Sequence, residues 1–344
     1  MMGLEQIHPW TEGRLMTIHP AAASLGMLVM LACAQPAGAV TPDGPGVQML
    51  KVENHRGARD YFAAALREHP QDAQAMAGMA KLELTEAHNK AAVEWASKAA
   101  AVAPTNAEYQ MLLGYAYAHY IHNVNIFRRL GMAHKVRAAF KRAVELAPDS
   151  ADGRADLASF YILAPGIAGG NLAKAKLQLD ALDKLDPVRA NALHAEIAMK
   201  QHDPAAAGRY MRTAAKIDAT GSGDLYLGKF LVSQKDYTGA FTAFETGIHE
   251  HPSNSANYYQ FGRLATITGT HVQAGIRDLK KYLTMPHRWQ PDTPTYKWAR
   301  YRLGVLYSIA GDEVAARSQY RAALAMDPDF KQAAAALHAQ QGGG

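Results

Sequence analysis

The segments YFAAALREHP (61–70), WASKAAAVAP (95–104), FKRAVELAP (140–148), FETGIHEHP (244–252), LKKYLTMP (279–286) and YRAALAMDP (320–328) are six versions of one element, a short amphipathic stretch stopped by proline. Pro70 and Pro104 stand 34 residues apart, and so do Pro252 and Pro286. Proline lacks an amide hydrogen and its ring clashes with the preceding turn, so each one ends a helix. A period of this length with one stop per period predicts an all-α, right-handed superhelical solenoid of about seven to eight helix-turn-helix pairs, without strands. Such a stack presents a surface for binding and seldom carries chemistry.

Upstream of each stop the same small and large residues return. Leu113-Gly114 and Tyr117 precede Phe140; Leu227-Gly228 precedes Ala240 and Phe244. Phe261-Gly262 precedes Ala274, and Leu303-Gly304 with Tyr307 precedes Ala316 and Tyr320. Met79-Ala80 precedes Ala92 and Ala96; Leu157-Ala158 and Tyr161 precede Ala175 and Pro187. Ala58 and Phe62 belong to a unit whose first helix is degenerate, and Ala195, Ala207 and Met211 mark a unit that lacks its proline. The pattern resembles the tetratricopeptide repeat (TPR) family over nearly all of residues 58–341. It departs from that family in having no tryptophan at the fourth position of any unit. The resulting organisation is a signal peptide at 1–39, a linker and degenerate first helix at 40–57, a solenoid with a C-terminal capping helix at 58–341, and a flexible tail at 342–344.

Three intervals break the period. Pro104 to Pro148 spans 44 residues, Pro148 to Pro187 spans 39, and Pro286 to Pro328 spans 42. Insertions in a solenoid fall in loops and often carry specificity. The first insertion lies between Tyr117 and Phe140, the second contains PGIAGG (165–170), and the third is HRWQPDTPTY (287–296).

Arg14 followed by an apolar run at 21–34 and by Ala37-Gly38-Ala39 reads as a secretion signal cleaved before Val40. Met16 is an alternative start to Met1, at the loss of Arg14. Cys33 is the only cysteine among 344 residues, so the processed chain holds no thiol, which suits an oxidising space such as the periplasm. A lipid anchor on Cys33 is the alternative, against which Met30-Leu31-Ala32 fits the lipoprotein pattern poorly. The net charge of +5 is too mild to argue for nucleic-acid binding.

Four features invite a chemical reading. PGIAGG lacks the following Lys-Ser/Thr of a phosphate loop and reads as a structural turn. His119, His122 and His134 have no carboxylate or cysteine at ligand spacing, so no metal and no cofactor is expected. Arg128, Arg129, Lys135 and Arg142 lie in the first insertion, which has no acidic residue before Glu145. With Leu130, Val136, Phe140 and Val144 facing inward, this segment reads as a basic amphipathic helix able to touch an anionic membrane. No nucleophile elbow or paired carboxylates of catalytic type occur, so the chain reads as no enzyme.

The family resemblance implies a concave groove lined from the first helix of each unit. It assigns Glu108, Met111 and Tyr115 to one unit and Lys229 to another. Tyr259 and Arg263 follow, and the last full unit gives Trp298, Tyr301 and Val305. Aromatic and Arg side chains are common energetic anchors of interfaces, and the alternative is that these aromatics pack between adjacent repeats. The expectation is a non-enzymatic periplasmic adaptor holding a protein or peptide. Two other readings are an envelope assembly subunit touching an anionic membrane through the basic insertion, and a small-ligand or metal-binding protein.

Overall fold

The structure, a computed structural model, describes residues 44–286 and 294–340. The signal reading, Cys33 and the Val40 start lie outside the described residues, as do 287–293 of the third insertion and the 342–344 tail. Among the described residues there are seventeen α-helices and no strand. They divide into two compact units between His202 and Asp203.

The first unit contains α1 (Pro45–Lys51), α2 (His55–Glu68), α3 (Ala73–Thr85), α4 (Asn89–Val102), α5 (Ala107–Tyr120), α6 (Ile126–Leu146), α7 (Ala151–Leu163), α8 (Leu172–Leu185) and α9 (Pro187–Lys200). Consecutive helices pack as antiparallel pairs, and each first helix also touches the next first helix: α3 against α5, and α7 against α9. The second unit contains α10 (Pro204–Ile217), α11 (Ser222–Ser233), α12 (Tyr237–Glu250), α13 (Ser255–Thr268), α14 (Val272–Tyr282), α15 (Tyr296–Ile309), α16 (Glu313–Met326) and the closing α17 (Lys331–Ala339). Here α11 touches α13, and α13 touches α15.

Sequence sets the helix starts directly. Asp72, Asn106, Ser150, Asn171, Asp236, Asn254 and Asp312 each accept a backbone N–H of the helix they precede. Such a cap satisfies a donor that the helix itself cannot, worth about 1 kcal/mol. The turns inside pairs are tight enough to hold Ala87, Lys235 and His271 at positive φ.

What sets the distance between paired helices is an aromatic ring lying on a glycine. A Cβ at Gly114 would come closer than 3.0 Å to the Phe140 ring; Gly228 stands in the same relation to Phe244, and Gly304 to Tyr320. Leu279 fills that place over Gly262, and Phe62 fills it over Gly46 of the short α1. Phe62, Phe140 and Phe244 are at most 1% exposed. In the second unit along the chain Ala80 and Ala96, both fully buried, replace the glycine and the ring.

The first insertion goes into a helix. Residues 121–123 form one 3-10 turn, and α6 then runs for 21 residues where α4 and α8 have 14. The extra residues amount to roughly 10 Å of helix. Val136 and Phe140 face inward and are buried, and Val144 packs at the edge of the same core. Leu130 does not face inward as the periodicity implies; it is 39% exposed, because no neighbouring helix reaches that level.

Replacing Gly228 or Gly304 with Leu is expected to cost about 3 kcal/mol, since the ring opposite has nowhere to move. Urea unfolding checks it, and unchanged midpoints would show that the rings do not rest on these glycines.

Candidate functional site

On α5, Glu108, Met111 and Tyr115 fall on one stripe, spaced by three and then four residues. The stripe runs from exposed through half-buried to buried: Glu108 is open to solvent, Met111 is partly covered, and Tyr115 is 7% exposed. Lys81 of the neighbouring α3 adds a cation whose pKa is lowered by burial, against a smaller opposing effect of the Glu108 charge.

Tyr115 is therefore a support for the surface, not a contact on it. Gly114 meets Phe140, so the next residue, about 100° further round the helix, turns toward α7. The Tyr115 hydroxyl donates to Asp156, which is fully buried, and its ring stands edge-on to Phe140. Burial and the Asp156 charge push the phenol well above its ordinary range, so it stays a donor. Asp152, Asp156 and Ser159 make a polar stripe along α7. Arg189 of α9, 1% exposed, bonds Asp152 at 2.7 Å and pairs with Asp186 at 3.2 Å. The Ser159 hydroxyl is buried without a hydrogen-bond partner among the described residues. Hydrogen bonds and ion pairs thus tie α5 to α7 and α7 to α9.

The second unit repeats the arrangement with other residues. Arg302 of α15, 9% exposed, donates from Nε to the Tyr259 hydroxyl of α13 at 2.9 Å. Its guanidinium lies 5.7 Å from the Tyr259 ring centre and 5.8 Å from that of Trp298. Tyr259 is 2% exposed, so the sequence-based reading of it as an open anchor is corrected: it fastens two first helices together. Trp298 and Tyr301 are also committed, with ring centres 4.7 and 5.7 Å from Phe330, which leads into α17. They hold the closing helix. Lys229, Arg263 and Val305 are half-buried on α11, α13 and α15 and keep part of their surface.

Asp156, Arg189 and Arg302 are the residues that sequence reasoning missed. For two of them the signal was present in ADLASF (155–160), where one charge sits among residues that are all buried, and in RANAL (189–193), where one charge precedes mostly buried small and apolar residues.

The other candidates separate cleanly. In PGIAGG the backbone N–H groups of Ala168, Gly169, Gly170 and Asn171 donate to Pro165, Gly166, Pro165 and Tyr161 carbonyls, so they are not free to cradle a phosphate. Arg128, Arg129, Lys135 and Arg142 are all exposed on α6. His119, His122 and His134 join no converging ligand group among the described residues. Two such groups exist elsewhere. In Glu83, Glu86 and His88 the place for a cation is taken by Arg59, which bonds both glutamates. In Asp224, Glu250 and His251 the ligand atoms lie within 4.8 Å of one another. Burial first, then the charges of Asp218 and Glu250, push the Asp224 carboxyl up to about 6, against a smaller opposing effect of His251.

Comparison with known proteins gives matches to tetratricopeptide repeat models at residues 49–114 and 299–330. No curated protein matches. Among solved structures the chain is similar to YrrB, described as a TPR protein with an unusual peptide-binding site, at 18% identity, covering 60% of this chain and 99% of that one, with a TM-score of 0.38. A thermophilic TPR protein of Thermus thermophilus matches at 16% identity over 64% of this chain and 94% of that one, TM-score 0.41. One from Parabacteroides merdae matches at 14% identity over 86% and 96%, TM-score 0.41.

The Asp224 carboxyl gives a pH effect of definite sign. Its folded pKa of about 6 lies above the ordinary 3.8, so the folded chain holds this proton more tightly than the unfolded one. The contribution is full below about pH 4 and is lost as pH rises through 6. Asp224→Asn should therefore stabilise the protein by about 1 kcal/mol at pH 7.5, after allowance for water at the edge of the site, and by little at pH 4. Thermal melts at both pH values check this; an equal effect at both would mean that Asp224 does not titrate in this window.

Proposed function

We propose that this chain, a tetratricopeptide repeat protein, is an exported, non-enzymatic scaffold that holds a protein or peptide partner along the inner faces of its first helices. The repeat fold is an interaction scaffold. The observation that carries the reading is the stripe on α5, where the exposed Glu108 and half-buried Met111 share a helix face with Tyr115, which bonds the buried Asp156. An interface gains affinity when its contact residues are held in place before binding, because less ordering is left to be done. The half-buried Lys229 and Arg263 offer the same kind of contact in the second unit. Mixed charge next to an apolar side chain suits a peptide with both apolar and charged residues.

Export rests on the apolar run at 21–34 and on Ala37-Gly38-Ala39, and the proposed destination is the periplasm. Intact mass of protein released by osmotic shock should correspond to a chain beginning at Val40. Recovery of residues 1–39 still attached, in a cytosolic fraction, would overturn export; lipid on Cys33 would move the cleavage site alone.

The partner-binding surface is tested by capture from periplasmic extract followed by titration of the captured partner. Glu108→Lys with Met111→Glu, and separately Lys229→Glu with Arg263→Glu, should weaken binding at least tenfold, with helical circular dichroism unchanged. Normal binding by both, with loss on reversing Arg128 and Arg129 even at high salt, would place the partner on the wrong surface for this reading. Tyr115 and Tyr259 are unsuitable for this test because their removal would damage the packing between first helices.

A further inference from the structure

The first two turns of α6 stand clear of the rest of the first unit: residues 125–131 are all exposed. Phe127 is 90% exposed, Ile126 67% and Leu130 39%. On a helix these three fall within an arc of about 100° that borders the buried face carried by Ala133, Val136 and Phe140, and they stay uncovered where α6 runs past that core. Arg128 and Arg129 flank the arc on its two sides. Among the described residues the Arg128 guanidinium has no partner, and Arg129 reaches only the Val124 carbonyl, at 3.3 Å. From Tyr109 to Val144 the chain has no Asp or Glu, while Lys135, Arg137, Lys141 and Arg142 continue the positive charge down the helix. The neighbouring second insertion adds Ile167, 81% exposed, and its Gly169 backbone lies against the Arg137 side chain.

We propose that this helix end inserts into an anionic lipid surface, with Ile126, Phe127 and Leu130 entering the boundary between headgroups and acyl chains. Arg128 and Arg129 would remain at the phosphate level, since long cationic side chains reach back to the polar layer while their stems lie in the apolar one. An acidic protein could use the same charges. The lipid surface is favoured because the apolar residues are exposed on the first two turns of α6, and a bilayer asks for a wedge and does not ask for a complementary shape. The uninterrupted positive charge matches an anionic surface, and neither feature depends on the groove reading above.

The test is sedimentation of the full chain with vesicles of phosphatidylcholine, alone or mixed with phosphatidylglycerol. Wild type should sediment with the mixed vesicles alone and be released by salt. Ile126→Ser with Phe127→Ser, and separately Arg128→Glu with Arg129→Glu, should each lower binding about tenfold or more. These positions are exposed, and circular dichroism confirms the fold. A second measurement reads the helix end itself. In a Cys33→Ser, Phe127→Cys chain, a polarity-sensitive dye on the single thiol should shift to the blue with mixed vesicles. The idea is overturned if wild type binds neither vesicle, if the dye does not shift, or if the apolar pair is replaced without loss, which would leave headgroup attraction alone. It is equally overturned if the charge-reversed chain binds as wild type does.

Discussion

The spacing of the α5–α6, α11–α12 and α15–α16 pairs depends on a ring resting where a side chain is missing. Phe140 on Gly114, Phe244 on Gly228 and Tyr320 on Gly304 bring paired helices to a distance that no Cβ would allow. Close approach multiplies dispersion contacts that are individually tiny, and it leaves the next residue in a fixed direction. Because that direction recurs, Tyr115 and the other inner positions of the first helices point where they do. Their orientation is thus a consequence of the packing inside each pair.

The period and the glycine-to-aromatic spacing were readable because they are local: 16 residues separate Gly228 from Phe244 and Gly304 from Tyr320, and the chain between them only has to turn once. The exposure of the inner residues was not readable. Whether Tyr259 faces solvent is decided by Arg302, 43 residues away in the next first helix. Trp298 and Tyr301 are covered by Phe330, which leads into the closing helix. A pattern averaged over units says nothing about what lies across from one of them. Leu130 was misread for the opposite reason. Its place in the helical period is that of an inward residue, but α6 outruns the helices it would face.

The polar bonds between first helices have a different character from the apolar packing. Replacing a buried ion pair by well-packed apolar residues is often neutral or stabilising, so Arg189 with Asp152 and Asp186 is weak evidence of extra stability. What such groups do is define geometry. Tyr115 meeting Asp156, and Arg302 meeting Tyr259, specify which turn of one first helix lies beside which turn of the next. Apolar Ala-rich faces alone would leave that register to many nearly equivalent small contacts.

The 3-10 turn at Ile121–Asn123 is what lets α6 grow. It lengthens the chain at a point where the stack has already been left, and α6 still delivers Phe140 to Gly114. Length and composition at 124–131 are therefore decoupled from the fold. A lineage could exchange this segment freely, acquiring or losing an attachment to another cellular structure, while the repeats beneath it stayed under unchanged constraint. An evolutionary comparison of such chains would then show two clocks: a slow one in the glycines and rings, and a fast one in the projecting helix end.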